Sequence, residues 1–440
     1  MSKGNTRLLC IVGIVVLYIL AWYTLIDDSV KQANEYNGYL QTARVKREQT
    51  LYADSNDNYL AALAKNDSIE LREEIIGLYK EAGSTDTCLA FCEETIEKYP
   101  YEALGYEGLA EIYKKTDNLY TCFSIINKAG TRGIDSEVLK GIADELAYAY
   151  ELTFMNFEDV KYYCSGLCAV KKIDGYWGYV NPYGSTSVAF KFEEAGAYSP
   201  SGLAAVKEQG KYVLVDSTGR HKVVDVENKA IEDCTLLVAG KIAVKYDGKY
   251  HYCDENFKEL FGSYDYAGTF NCGVAAVMNN GVWNIIDENG NKVCDTNFED
   301  IKVDDKGVAF RSDMAFAKVN GQYVLIDTKG KTVSNEKWDD VDAFNSDQPA
   351  AVKKGEMWGF INTNKEVVVD YKYAGAKSFS NGFAAVQRGD EWGYIALEDF
   401  EEKIECQFDD ANDFNEGGSA FVKMDDTWKL IKIYRLSRKK

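Results

Sequence analysis

Three kinds of hydrophobic patterning follow one another along the chain. From Leu8 to Ile26 the residues read LLCIVGIVVLYILAWYTLI, an unbroken uncharged stretch bounded by Arg7 and by Asp27-Asp28. As a helix it would extend about 28 Å, close to the hydrocarbon thickness of a bilayer, so a transmembrane helix is expected there. Trp22 and Tyr23 stand near its far end, as interfacial aromatics do. Between about Leu51 and Phe154 apolar residues return every third or fourth position, which predicts amphipathic helices. From about Gly166 onward short apolar runs alternate with Gly- and Asp-bearing turns, which predicts β-hairpins.

These regimes divide the chain into a short tail (1–7), a membrane helix (8–26), a membrane-proximal helical segment (27–67), a helical domain (68–155), a β domain (160–434) and a basic tail (435–440). A cleaved leader would be shorter and end in a small-x-small site; Ile19-Leu20-Ala21 is a poor one, so the segment reads as an uncleaved anchor. Lys3 and Arg7 before it, with Asp27 and Asp28 after it, place residues 1–7 in the cytoplasm and the later domains outside.

In the helical domain two stretches, Ser68 to Pro100 and Tyr101 to Gly130, superpose on Tyr79 and Tyr113, and 113 − 79 gives a period of 34. With that period, and with Tyr79, Pro100, Tyr106, Leu109, Ala110, Tyr113 and Ala129 at the packing positions, the segment resembles tetratricopeptide repeats. Ile76 and Thr95 depart from the small residues that pattern prefers, and Glu145 to Phe154 is expected to belong to a third repeat or a capping helix. The resemblance implies stacked hairpins whose concave face takes a peptide or partner helix, or which act as a spacer. Asp54, Asn56 and Asn58 have the alternation of a calcium loop, but Tyr59 and Lys65 stand where its Gly and Glu belong; helix capping is expected instead.

The β domain repeats one phrase eight times. Ala350-Ala351-Val352-Lys353, a turn at Gly355, and Trp358-Gly359-Phe360-Ile361-Asn362 make one copy. The aromatic position is Trp177, Tyr212, Tyr250, Trp283, Tyr323, Trp358, Trp392 and Trp428 in turn; 428 − 177 = 251 over seven intervals gives a mean near 36. A second turn opens with Asp216, Asp287 or Asp327 and is followed by a third strand. These residues resemble the WG-repeat family, most closely at Trp177, Trp358 and Trp392, where the Trp-Gly pair is intact. The expected fold is therefore α plus all-β: a membrane helix, tetratricopeptide-like hairpins and eight β-repeats closing as a propeller, with an open β-solenoid or hairpin array as the alternative. The eight aromatics are read as structural.

A formal charge of −20 excludes a nucleic-acid partner, which would need clustered Lys and Arg. Two histidines, His221 and His251, stand in no catalytic or metal motif, and Cys88/Cys92 and Cys164/Cys168 lack the further ligands a zinc site needs. Neither the P-loop nor the GxGxxG phosphate pattern occurs. The expectation is a non-catalytic, membrane-anchored binding protein without metal or cofactor, presenting its repeats to a protein, a peptide or an envelope glycan. A scaffold subunit is the alternative; a glycosidase-type enzyme would require two carboxyl groups about 5–9.5 Å apart in one pocket.

Overall fold

A computed structural model of the chain describes Trp22 and residues 29–173, 175–224 and 229–434. Trp22 apart, the expected membrane helix 8–26 lies outside the described residues, as do the tails 1–7 and 435–440. Among the described residues no helix is long and apolar enough to cross a membrane. The chain forms two compact units, 1–149 with 434–440, and 150–433.

Among the described residues the first unit holds seven helices: α1 (29–48), α2 (Tyr52–Leu63), α3 (Ile69–Glu81), α4 (Thr85–Lys98), α5 (Leu104–Lys115), α6 (Leu119–Thr131) and α7 (Glu137–Glu145). Ser68, Asn118 and Ser136 cap α3, α6 and α7 by accepting the N–H three residues on. The 34-residue period reappears in the contacts. Lys80 pairs with Glu111 and Lys114 with Glu145, while the Cys88 thiol faces the Ile76 carbonyl and Cys122 that of Ala110. Tyr79, Tyr106, Leu109, Ala110 and Ala129 are buried and Tyr113 packs against them. Pro100 contributes its carbonyl, which accepts from the Tyr106 hydroxyl at 3.1 Å. Helices α4 and α5 approach closely because Gly105 and Gly108 carry no side chain: a Cβ on Gly108 would lie 2.5 Å from the Cys92 sulfur.

Two expectations for this unit fail. Asp54, Asn56 and Asn58 cap nothing; they lie inside α2, whose N-cap is Leu51, and Asn56 accepts from the Tyr79 hydroxyl at 2.8 Å. Glu145 to Phe154 is not helical beyond Glu145, because Tyr150–Leu152 pairs instead with Thr427–Ile433, moving the domain boundary from 155 to 149.

The second unit is an eight-bladed propeller, not an open array. Each hairpin of the repeated phrase forms the second and third strands of one antiparallel blade. Blades 1 to 8 begin at the innermost strands Asp159–Cys164, Glu194–Ala195, Asp233–Cys234, Tyr266–Ala267, Asp300–Ile301, Asp340–Val341, Gly375–Ala376 and Asp410–Ala411. Blade 8 is completed by Tyr150–Leu152, from the other end of the ring's sequence. Phe157, Val160, Val180, Phe421 and Leu430 form the apolar seam between blades 8 and 1. Buried tyrosines tie neighbours together: Tyr179, Tyr252 and Tyr394 donate to the carbonyls of Gly196, Gly268 and Asn412 in the next blade, each at 2.7 Å. Outside blade 1 the hairpin turns are two residues long, with Gln209-Gly210, Asn280-Gly281 and Asn320-Gly321 all at positive φ, the geometry that matches strand twist. The second turns behave as expected, Asp287 and Asp327 each accepting from the N–H groups two and four residues on.

Trp-Gly marks particular blades. In blades 1, 6 and 7 the outer strand bulges around the glycine, so that a step of two positions along the third strand (358 to 360) faces a step of four along the outer one (369 to 373). A Cβ on Gly359 would sit 2.6 Å from the Val369 carbonyl oxygen, and one on Gly393 2.5 Å from that of Ile404. Val213 and Val324 replace the glycine where no such bulge exists: blade 2 pairs Val213 and Leu214 with Val224 and Val223 in step, and the outer strand of blade 5 shrinks to isolated bridges.

Candidate functional site

The innermost strands carry a pattern that the hairpin phrase conceals. Except in blade 7, where Ala374 precedes Gly375, each begins after an aromatic or apolar residue and an acid, as in Phe298-Glu299-Asp300-Ile301 and Trp338-Asp339-Asp340-Val341. The first acid serves the hairpin turn: Glu193, Glu232, Glu299 and Asp339 accept from the backbone N–H of Gly210, Gly248, Gly321 and Gly355. The second acid meets the repeat aromatic. Where that aromatic is Tyr212, Tyr250 or Tyr323, its hydroxyl donates to Glu194, Asp233 or Asp300 at 2.5–2.6 Å. Cross-strand lysines cover the rings, Lys207 over Tyr212, Lys245 over Tyr250 and Lys318 over Tyr323, at 5.3–5.6 Å from the centroids.

Blade 5 departs from the others between its first two strands. From Ile301 to Met314 is 13 positions, whereas Ala195 to Leu203, Ala267 to Val274 and Ala376 to Phe383 are 8, 7 and 7. The extra residues form a loop at Asp304–Val308 that enters the channel. It is rigidly held: Asp304 is buried, accepts from the N–H of Lys306 and Val308 and pairs with Arg311 at 2.7 Å, while Thr269 of blade 4 donates to the carbonyls of Gly307 and Lys306. Across the ring, the Lys306 ammonium stands 5.6 Å from the ring of Tyr162 in blade 1.

Loop and inner strands enclose a cavity of roughly 480 Å³. Lys161, Tyr162, Trp177, Glu194, Tyr212, Asp233, Tyr250, Tyr266, Asp305 and Lys306 supply its polar and aromatic lining. Of the eight repeat aromatics, the structure thus brings three, Trp177, Tyr212 and Tyr250, to this cavity; Trp283, Tyr323, Trp358, Trp392 and Trp428 stay in the walls between strands. Trp177 and Tyr212 are 7% exposed. Burial raises the pKa of Tyr162, Tyr212 and Tyr250 and pushes Tyr266 up to about 12, so all four are hydrogen-bond donors at neutral pH. Burial also pushes the Cys234 thiol far above its ordinary value, leaving it a poor nucleophile. For Glu194 burial acts upward, but the Tyr212 hydroxyl and the Lys207 ammonium outweigh it and the carboxyl lies below its usual range.

Beyond Asp305 the channel wall holds two more carboxyls, Asp342 and Asp413; Ser378 donates its N–H to the first and Asn345 its side-chain amide to the second. Burial, then the charges of Asp342 and Asp305, push Asp413 up to about 7 from 3.8. Since the folded state holds this proton more tightly than the unfolded chain, its stabilising contribution is complete below pH ~4 and is lost as pH rises to about 7. Asp413→Asn should therefore leave stability unchanged at pH 4 and raise it by about 2 kcal/mol at pH 8 in urea unfolding. The full interval would be worth ~4 kcal/mol, and residual solvent contact reduces it. Equal stability of both proteins at pH 8 would show that Asp413 ionises normally.

The remaining candidates resolve into structural roles. His221 faces Glu208 at 2.7 Å, and His251 stacks on Tyr246 and faces Glu259 at 3.4 Å. Cys88, Cys92 and Cys168 are buried, and the ten cysteines among the described residues are free thiols. Among the described residues no group of three or more His, Cys, Asp or Glu could hold a metal ion. Sequence reasoning missed the cavity's acids and the blade 5 loop. The available signal for the loop was the interval from Trp283 to Tyr323, which at 40 residues is the longest between copies.

Five stretches of the ring, 177–212, 252–283, 325–358, 358–392 and 392–428, match the WG containing repeat and are similar to repeats of that kind. No curated protein matches the chain. Among solved structures it overlays on a eukaryotic initiation factor at 10% identity and a TM-score of 0.42, covering 66% of this chain and 88% of that one. The β-propeller domain of Myceliophteria thermophila Cps50 (Swd1) gives 9% and 0.33, with 64% and 99% covered; virginiamycin B lyase from Staphylococcus aureus gives 11% and 0.33, also with 64% and 99%. These overlays are loose, and the activities of those proteins stay theirs.

Proposed function

We propose that this chain is a non-catalytic binding protein, anchored by residues 8–26, that presents its WG-repeat ring and its tetratricopeptide-like helices on the outer side of a cell membrane. The observation that carries the reading is the cavity with its pinned loop. A rigid, polar, aromatic-lined seat suits recognition, because little order has to be imposed when a ligand arrives. Its two carboxylates nearest to each other in sequence, Glu194 and Asp233, both accept from tyrosine hydroxyls, an arrangement that favours holding over acid–base turnover.

A second reading, a scaffold subunit, draws on one feature: a groove of roughly 410 Å³ lined by Met155, Phe157, Ile173 and Phe190, with Phe154 fully exposed at its edge.

The test uses the full-length chain purified in mild detergent from cells that make it. Native mass spectrometry should find a bound species that is lost when residues 303–309 are shortened to the spacing of the other blades. Identical spectra for the two proteins would remove the cavity from any binding role. In intact cells an impermeant maleimide should label the exposed Cys272; labelling only after lysis would put the ring on the inner side.

A further inference from the structure

The groups left free in the cavity have opposing preferences. Among the described residues, Lys161 and Lys306 form no ion pair, Asp305 accepts no hydrogen bond, and the hydroxyls of Tyr162 and Tyr266 donate to nothing. They face the cavity from three walls: Lys161 and Tyr162 from blade 1, Tyr266 from blade 4, Asp305 and Lys306 from the inserted loop.

That combination discriminates among ligand classes. An anion would meet the two ammoniums and the phenols, but also the carboxylates of Asp305, Glu194 and Asp233. A cation would meet two lysines, and the ring faces it would seek are already taken by Lys161 over Trp177, Lys207 over Tyr212, Lys245 over Tyr250 and Lys306 over Tyr162. An apolar ligand would strand five polar groups at about 1–3 kcal/mol each. A neutral polyhydroxylated molecule satisfies both kinds of partner, since every hydroxyl both donates and accepts. Its hydroxyls can donate to Asp305 while accepting from Lys161, Lys306, Tyr162 and Tyr266, and its C–H faces can lie against the aromatic side chains and the small surface of Ala195, Gly196 and Ala197. The volume, roughly 480 Å³, falls within the ~300–1,000 Å³ usual for small-molecule seats.

We infer that the cavity between blades 1 and 5 binds a neutral saccharide, recognised through Lys161, Tyr162, Tyr266, Asp305 and Lys306. This rests on the reading of the chain as a binding protein. It also gives the inserted loop a role: Asp305 and Lys306 bring one acceptor and one donor, held by Asp304, Arg311 and Thr269 before any ligand arrives.

The experiment titrates the full-length detergent-purified chain with cellobiose, maltose, glucuronate and glucosamine, read by calorimetry. Trp177 is the one tryptophan lining the cavity, so its fluorescence gives a second signal. Cellobiose or maltose should bind saturably below ~10 mM. Lys306→Gln, Asp305→Asn and Tyr266→Phe should each weaken binding by about threefold to tenfold, the value of one hydrogen bond. Lys329→Gln, on an exposed turn, should have no effect. The inference is overturned if neither neutral disaccharide binds, if glucuronate or glucosamine binds at least about tenfold more tightly than both, or if the three cavity variants bind like wild type. If the sugars fail while the shortened-loop chain still loses its bound species, the saccharide alone is wrong; if both fail, so does the binding role of the cavity.

Discussion

Gly393→Val will destabilise the ring by about 3 kcal/mol, a typical upper value for overpacking against groups that cannot move aside. The added Cβ would lie 2.5 Å from the Ile404 carbonyl oxygen and 2.6 Å from the Cys406 nitrogen, both backbone atoms of the bulged outer strand. Either that bulge opens, with loss of the pairs Trp392–Phe408 and Tyr394–Ile404, or the third strand shifts away from the core. Urea unfolding followed by tryptophan fluorescence checks it, since every tryptophan except Trp22 lies in the ring. The internal control is natural: valine already stands at 213 and 324, in blades without the bulge. A transition at the wild-type urea concentration would mean that the Trp-Gly pair has some purpose other than making room for the outer strand.

The second large effect belongs to the helical unit. Arg72 is 1% exposed, yet its guanidinium holds both oxygens of Asp67 at 2.7 Å, Glu94 at 2.8 Å and the Thr95 hydroxyl at 3.1 Å, and lies 5.0 Å from the centroid of the Phe91 ring. This network explains why Thr95 replaces the small residue expected there. Arg72→Ala removes the cation and leaves the Asp67 and Thr95 oxygens without it, for a loss of about 3 kcal/mol by urea unfolding followed by far-ultraviolet circular dichroism. A pH signature separates this from lost packing. The hydrogen bonds from Arg72, helped by Lys98, hold Asp67 at about 2, so its contribution is complete above pH ~4 and disappears as pH falls toward 2. Wild type should therefore lose more stability than Arg72→Ala between pH 4 and 2. Parallel losses would make Arg72 a packing residue only.

Which parts of this were readable from sequence follows from the length over which each signal repeats. Eight hairpins, their Gly-bearing turns and the Asp-led second turns each span several residues with a definite polar–apolar grammar, and eight copies make the grammar plain. The innermost strands are mostly two residues long, too short for alternation, and their acids look like ordinary loop residues until neighbours are compared blade by blade. Closure is invisible for another reason: Tyr150–Leu152 is a three-residue strand whose partner lies some 280 positions away, so nothing local distinguishes it from a fraying helix end. In the helical unit Asp54, Asn56 and Asn58 look like caps because those residues favour caps, but the stop is absent and packing on Tyr79 keeps them inside α2. The cavity was least legible. Its aromatics are shared with every repeat, and only the long interval before Tyr323 singles out the blade that supplies Asp305 and Lys306.

The pairing of Tyr150–Leu152 with Thr427–Ile433 also sets a clock on the making of the ring. The ribosome releases the first of these strands and must add 427 − 150 = 277 residues before the second begins to emerge. At ~5–20 residues per second that is roughly 15–55 s, far longer than a hairpin needs to form. Seven blades can therefore fold while Tyr150–Leu152 waits with a bare edge and Phe157 lacks both its bridge to Trp428 and its contact with Phe421. A chain cut short before Thr427 stays in that state permanently, so for this protein the final stretch of translation decides between a sealed ring and an edge open to another chain.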